Sequence, residues 1–239
     1  MNRIVFATFS DRGNREYNED SLAFLCDGAT GFFVLADGLG GHGRGEVASK
    51  IAVEKSAETH FSGGGLDECF LSAQNSIIDE QRKAGAFDEM KTTLCLLCIY
   101  NDKAQWGHVG DSRIYHFRDG RLIARTMDHS VPQMLVLSGE IKEKAIRNHP
   151  DRNRLLRVLG VEWETPRYEL ADETSVAAGD SFLLCSDGFW ELIVEKQMMR
   201  CLKQSATPEQ WLSQMEAAVL ESGAGTNMDN YSAIAVYIR

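Results

Sequence analysis

The chain lacks any apolar run long enough to span a membrane or to act as a secretory signal. Met1-Asn2-Arg3 leads straight into an apolar stretch at residues 4–8, whereas a span needs about 20 such residues. A cytoplasmic protein with no membrane association is expected. Basic charge is also in short supply: 25 Lys and Arg stand against 35 Asp and Glu, a formal charge of −10. That balance opposes a phosphate backbone and excludes nucleic acid as a partner, while it suits divalent cations. The 6 cysteines include no second CxxC to complement Cys95-Leu96-Leu97-Cys98, and in a strand-like run positions i and i+3 point to opposite faces. Zinc and dithiol chemistry are therefore excluded. Repeats, low-complexity segments and interdomain linkers are absent, so residues 1–239 read as one domain with one sizeable core.

What is present is organised around residues 32–45. The run Phe32-Phe33-Val34-Leu35-Ala36 ends in Asp37-Gly38, and Gly40, Gly41, Gly43 and Gly45 follow. The pattern returns at Phe182-Leu183-Leu184-Cys185-Ser186-Asp187-Gly188. Asp119-Gly120 is a turn dipeptide too, but its flanks are polar and alternating, as in a half-exposed hairpin. Continuously apolar flanks mark strands buried on both faces, and an acid at the end of such a strand needs a neutralising partner.

Periodicity predicts strands at residues 4–8 and 22–26. Two amphipathic helices follow, carrying Val47, Ala48, Ile51 and Ala52, then Leu66, Phe70, Ala73 and Ile77, with Gly63-Gly64-Gly65 between them. Residues 94–100, 104–109, 113–118 and 121–126 read as a meander of antiparallel hairpins. Residues 128–160 turn helical and basic, with Arg147, Arg152, Arg154 and Arg157; this insertion is either a solvated excursion or a flap facing substrate. A strand at 180–185, a helix from about residue 192, a helix opened by Thr207-Pro208-Glu209-Gln210 and a strand at 232–238 complete the chain.

Acids stand at the ends of these elements: Glu19, Asp20, Asp37, Asp111, Asp187 and Asp229. Gathered without counter-ions they would repel strongly, so either they lie apart or cations join them. Carboxylates without a His or Cys set favour Mg²⁺ or Mn²⁺ over Zn²⁺. The charged loop at 10–20 is either solvated or functional, with Glu19 and Asp20 offering oxygens to hard cations and Arg15 its fork to an anion.

Arg15-Glu16-Tyr17-Asn18-Glu19-Asp20, Ala36-Asp37-Gly38-Leu39-Gly40-Gly41-His42, Thr92-Thr93, Val109-Gly110-Asp111-Ser112-Arg113, Cys185-Ser186-Asp187-Gly188 and Asp229-Asn230 together resemble the ordered motifs of the PPM family, the 2C-type metal-dependent Ser/Thr protein phosphatases, with the small bacterial members most similar. The resemblance implies an α+β fold: a four-layer α/β/β/α sandwich of two mainly antiparallel sheets flanked by helices, with a helical flap near 130–160. It implies two Mn²⁺ or Mg²⁺ ions bridged by Asp37, with the Gly38 carbonyl on one and Asp187 and Asp229 on the other. Glu19 and Asp20 would hold metal-bound waters, Asp111 with Asp187 a third ion, and Arg15 the substrate phosphate. A bridging water would attack phosphoserine or phosphothreonine with no covalent intermediate. The implied partners are phosphoprotein substrates and a bacterial-type Ser/Thr kinase pathway, and the implied state is a monomer. Some positions depart from the pattern. Leu39 stands where many eukaryotic relatives carry a histidine acid, His42 follows three residues later, Tyr231-Ser232-Ala233 replaces small β-branched residues, and Pro132 is unusual in the flap.

Overall fold

The computed structural model describes residues 3–40, 43–87 and 89–239. His42 and Gly41 lie outside the described residues. In chain order the elements are β1 (Ile4–Asp11), β2 (Asp20–Cys26), β3 (Gly31–Asp37), α1 (Gly45–Phe61), α2 (Leu66–Ala84), β4 (Leu94–Tyr100), β5 (Lys103–Val109), β6 (Arg113–Arg118) and β7 (Arg121–Arg125). They continue with α3 (Val131–Leu137), a 3₁₀ turn (Glu143–Asn148), β8 (Glu169–Leu170), β9 (Thr174–Ser175), β10 (Asp180–Cys185), α4 (Asp187–Trp190), α5 (Glu195–Gln204), α6 (Pro208–Gly223) and β11 (Tyr231–Ile238).

The strands form two sheets, β1-β11-β10-β6-β7 and β2-β3-β4-β5-β8, with β9 also pairing β5. Every pairing is antiparallel. Alternation along the central strands creates three cores. Phe32, Val34 and Ala36 of β3 with Leu94, Leu96 and Cys98 of β4 pack under α1 and α2. Phe33, Leu35, Cys95 and Leu97 turn the other way, onto Phe182 and Leu184 of β10 and Ile234 and Val236 of β11. Leu183, Cys185, Ala233 and Ala235 then face α5 and α6 on the far side. These continuously apolar strands lie between layers on both faces, and each face is sealed by a helix pair or by the opposite sheet. Helix, sheet, sheet and helix layers follow, as the family resemblance implies. Cys95 and Cys98 sit in different cores, and all six cysteines are free.

The expected four-strand meander is corrected. β4 and β5 form one hairpin through Asn101-Asp102 and β6 and β7 another through Asp119-Gly120, all four turn residues at positive φ as primed turns require. β5 and β6, however, belong to different sheets. The crossing is made at Gly110, where φ is +100° and an added Cβ would fall 2.5 Å from the Thr93 side chain. No Cβ-bearing residue fits there, so the chain leaves one sheet and enters the other with Asp111 at the bend.

Residues between β7 and β8 carry the expected insertion. It is helical at α3 and the 3₁₀ turn, then extended, and it is tied back by bridges between Ser130 and Leu155 and between Thr92 and Leu159. Among the described residues no helix is long and apolar enough to cross a membrane.

Candidate metal centre

Asp20 opens β2 directly opposite Asp37, the last residue of β3. The Asp37 backbone is held from both sides. Its N–H donates to Thr93 Oγ1 at 3.0 Å, while its carbonyl accepts from Thr93 N at 2.9 Å and from Thr92 Oγ1 at 2.8 Å. Asp187 leaves the neighbouring sheet as the first residue of α4. Asp229 precedes β11, and its Oδ2 lies 2.8 Å from Arg15 Nη2. Asn230 fastens the 10–20 loop beside it: its Oδ1 accepts from Glu19 N at 2.8 Å, and its Nδ2 donates to the carbonyls of Arg12 and Tyr17, both at 2.9 Å. Gly40 leaves room for an acid, because a Cβ there would lie 2.0 Å from Glu19 Oε2.

A cavity of about 490 Å³ is lined by Arg15, Glu19, Asp37, Gly38, Asp111, Asp187 and Asp229, seven of the eight residues expected from the sequence. The eighth, Asp20, lies behind them. It is buried, accepts from Ser186 Oγ at 2.8 Å through Oδ2, and leaves Oδ1 buried without a partner among the described residues. The flap end, with Asn153, Leu155 and Leu156, completes the wall, which favours the substrate-facing reading of the insertion.

The carboxylate charge in this cavity is only partly compensated from within, chiefly by Arg15 on Asp229. Burial, then Asp20, Asp187 and Asp111, holds the Asp37 carboxyl well above the usual range, and burial with Asp187 and Asp128 does the same to Asp111. Asp187 rises through burial and the charge of Asp229; Asp20 rises through burial despite its bond from Ser186. Asp37 and Asp187 retain some open surface toward the cavity. Glu191, one helical turn past Asp187, is pushed up to about 7 by burial and by Asp187, even with Arg152 3.1 Å away. An all-oxygen donor set with an orphaned buried oxygen fits hard divalent cations.

Sequence reasoning missed a second group. His108, His129 and Glu169 bring one ligand atom each within 4.8 Å of one another. No local signal joins them; only the fold does. Their hydrogen bonds argue for positioning rather than metal binding. Gly110 N donates to His129 Nδ1 at 3.2 Å, which leaves the ring proton on Nε2; that atom lies 3.2 Å from Glu169 Oε1 as a close ion-pair contact without hydrogen-bond alignment. His108 Nε2 donates to the Met127 carbonyl at 2.7 Å. The two imidazoles stack at 4.5 Å and 20°, so their lone pairs do not converge, and Arg157 sits 3.1 Å from the same Glu169 oxygen. His129 also takes Leu156 N on its carbonyl at 2.7 Å and gives its own N–H to Gly110 O at 2.9 Å. It joins the Asp111 bend to both limbs of the flap.

A family model described as Protein phosphatase 2C matches residues 10–226. Serine/threonine phosphatase stp of Listeria monocytogenes serotype 4b is 33% identical over 212 residues, covering 83% of this chain and 82% of that protein. Serine/threonine protein phosphatase PstP of Mycobacterium tuberculosis is 31% identical over 207 residues, covering 84% of this chain; the match spans 39% of that longer protein. Among solved structures, the PstP catalytic domain in complex with two manganese ions superposes with a TM-score of 0.83 at 27% identity, covering 100% of this chain and 99% of that one. Stp1 from Staphylococcus aureus gives a TM-score of 0.86 at 26% identity, covering 98% and 94%.

Proposed function

The chain belongs to the protein phosphatase 2C family, and from that premise we propose that residues 1–239 form one catalytic domain that hydrolyses phosphoserine and phosphothreonine on proteins with manganese or magnesium as cofactor. The observation that carries the proposal is the gathering of Asp37, Asp111, Asp187 and Asp229, from four distant parts of the chain, around one cavity that their own charges disfavour. Asp37, the Gly38 carbonyl, Asp187 and Asp229 would hold two ions, Glu19 and Asp20 would orient the waters around them, and Asp111 with Asp187 offers a third position. When bound, such ions polarise phosphoryl oxygens and bring the pKa of water toward neutrality.

The chain's own groups do the rest. Arg15 is half exposed at the cavity, and its fork can present two parallel N–H groups to two phosphoryl oxygens. In doing so it exchanges the Asp229 carboxylate for another anion. Asn230 keeps Asp229 and the Arg15 loop in register through its four bonds, so the exchange requires only a side-chain movement. Leu39, Leu155 and Leu156 line the same cavity and narrow access for bulk water. The opposing activity is a Ser/Thr kinase that makes these phosphosites, and the protein works as a cytoplasmic monomer. Six free cysteines and the absence of a membrane-spanning helix among the described residues support that location.

The test is a metal-stripped preparation assayed with an aryl phosphate and with a phosphoserine peptide. Turnover should require added Mn²⁺ or Mg²⁺ and stop in EDTA. Binding of phosphopeptide without turnover under any divalent ion would sink the proposal.

A further inference from the structure

The cavity that gathers the acids also has a basic and aromatic lining, supplied by the segment after the flap: Arg157, Val161, Trp163 and Arg167. Five arginines lie between residues 147 and 167. Four hold carboxylates: Arg147 with Glu195, Arg152 with Glu191, Arg154 with Asp151 and Arg157 with Glu169. Arg167 is exposed and has no carboxylate partner among the described residues, although 35 acids outnumber 25 basic residues in the chain. Its neighbour Tyr168 is anchored, with its ring stacked on Phe70 of α2 at 4.5 Å and 8°. Arg167 is therefore presented from a fixed backbone. Beside it, Trp163 lines the same cavity, and its indole N–H is buried without an acceptor among the described residues. A buried donor lacking a partner is uncommon in native proteins, and because Trp163 lines the cavity, a rotation of its indole would offer the N–H to a ligand atom.

Taking the phosphatase reading as its basis, we propose that Arg167 and the Trp163 indole N–H form a second anion subsite. It reads a negatively charged group on the substrate chain close to the phosphorylated residue, either a carboxylate side chain or a second phosphoryl group. Arg157, already held by Glu169, is a further part of the same cavity wall. The cavity volume of about 490 Å³ exceeds the needs of one phosphorylated side chain and accommodates a flanking residue.

Three families of phosphoserine peptide test the subsite: one with neutral neighbours, one with Glu placed in turn at each neighbouring position, and one with a second phosphoserine. The wild type should favour one or both anionic families by about fivefold in kcat/KM, through KM, at low salt. Preference for the Glu family identifies a carboxylate as the ligand, and preference for the other a phosphoryl group. Arg167→Gln should abolish the preference and Trp163→Phe should weaken it, both leaving Mn²⁺-dependent turnover of an aryl phosphate unchanged. Equal kcat/KM for all three families, or a preference that survives Arg167→Gln, overturns the subsite while the phosphatase reading stands. Should aryl phosphate turnover itself be absent, that reading fails instead. Fluorescence anisotropy of the same peptides then decides separately, because Arg167→Gln must still weaken the anionic peptides about fivefold.

Discussion

Arg15 and Asp229 are separated by 214 residues, yet the guanidinium Nη2 rests 2.8 Å from the carboxylate Oδ2 at the mouth of the acidic cavity. A half-exposed pair of this kind contributes little to stability, so its importance lies in keeping the fork in place until an anion arrives. Arg15→Ala should lower kcat/KM for a phosphopeptide by roughly a hundredfold while shifting the unfolding midpoint very little. Arg15→Lys should recover only a small part, because an ammonium cannot make the bidentate contact. Steady-state kinetics with chemical denaturation on the same samples checks both.

Asp187 carries a different load. In Asp187→Asn, activity should fall by at least about a hundredfold, and bound Mn²⁺ measured by elemental analysis should fall with it. Without metal, the same variant should be more stable than wild type by about 1–2 kcal/mol at pH 8, since a crowded negative charge is gone. Near-wild-type activity and metal content would remove the assignment.

The pH dependence follows from the raised carboxyl groups of Asp20, Asp37, Asp111, Asp187 and Glu191. Each binds its proton more tightly folded than unfolded, so from the ordinary carboxylate range near 4 up through about 7, the Glu191 value, the native state holds more protons. Stability in EDTA should therefore fall as pH rises through that window. Excess Mn²⁺ should reverse the trend, because the cation favours the ionised forms and displaces protons. Melting curves at pH 5.5 and 8, with and without metal, settle the sign.

Arg113 and Asp128 are both buried and joined by two contacts of 2.7 and 2.6 Å, with the guanidinium 3.4 Å above the Trp190 ring. Asp128→Ala removes the bidentate partner of a buried cation, leaving it only Glu195 at 3.8 Å and the Tyr115 hydroxyl at 3.1 Å, and should cost about 3 kcal/mol in urea unfolding.

His129 offers a finer test. His129→Phe keeps the ring stacked on His108 but leaves Gly110 N–H without its acceptor, so the Asp111 bend loosens. Manganese affinity measured by calorimetry should drop about tenfold for the weakest site, with the overall fold intact by circular dichroism. Stoichiometric zinc binding that disappears in His129→Phe and survives in Asp187→Asn would show instead that the trio is a metal site.

Much of the fold was legible from local pattern. The runs 32–36, 94–99 and 182–185 were legible as strands buried on both faces, but which face meets which core was not, because both faces are apolar. The Thr207 cap and the Asp119-Gly120 turn needed only a few neighbouring residues, and the bond from Gln210 N to Thr207 Oγ1 is present at 3.3 Å. The candidate acids were legible for the same reason, as charges set at the ends of apolar runs. Tertiary structure alone decided that the chain changes sheets at Gly110, since in sequence the short connection at 110–112 looks like one more turn of the meander. It alone placed His129 between Gly110 and Glu169, set Asp20 behind Asp37, and left Arg167 without a carboxylate among the described residues. Short-range propensity reads the torsions of a few consecutive residues, whereas contacts across 40 to 214 positions depend on how the two sheets are stacked, which no local window contains.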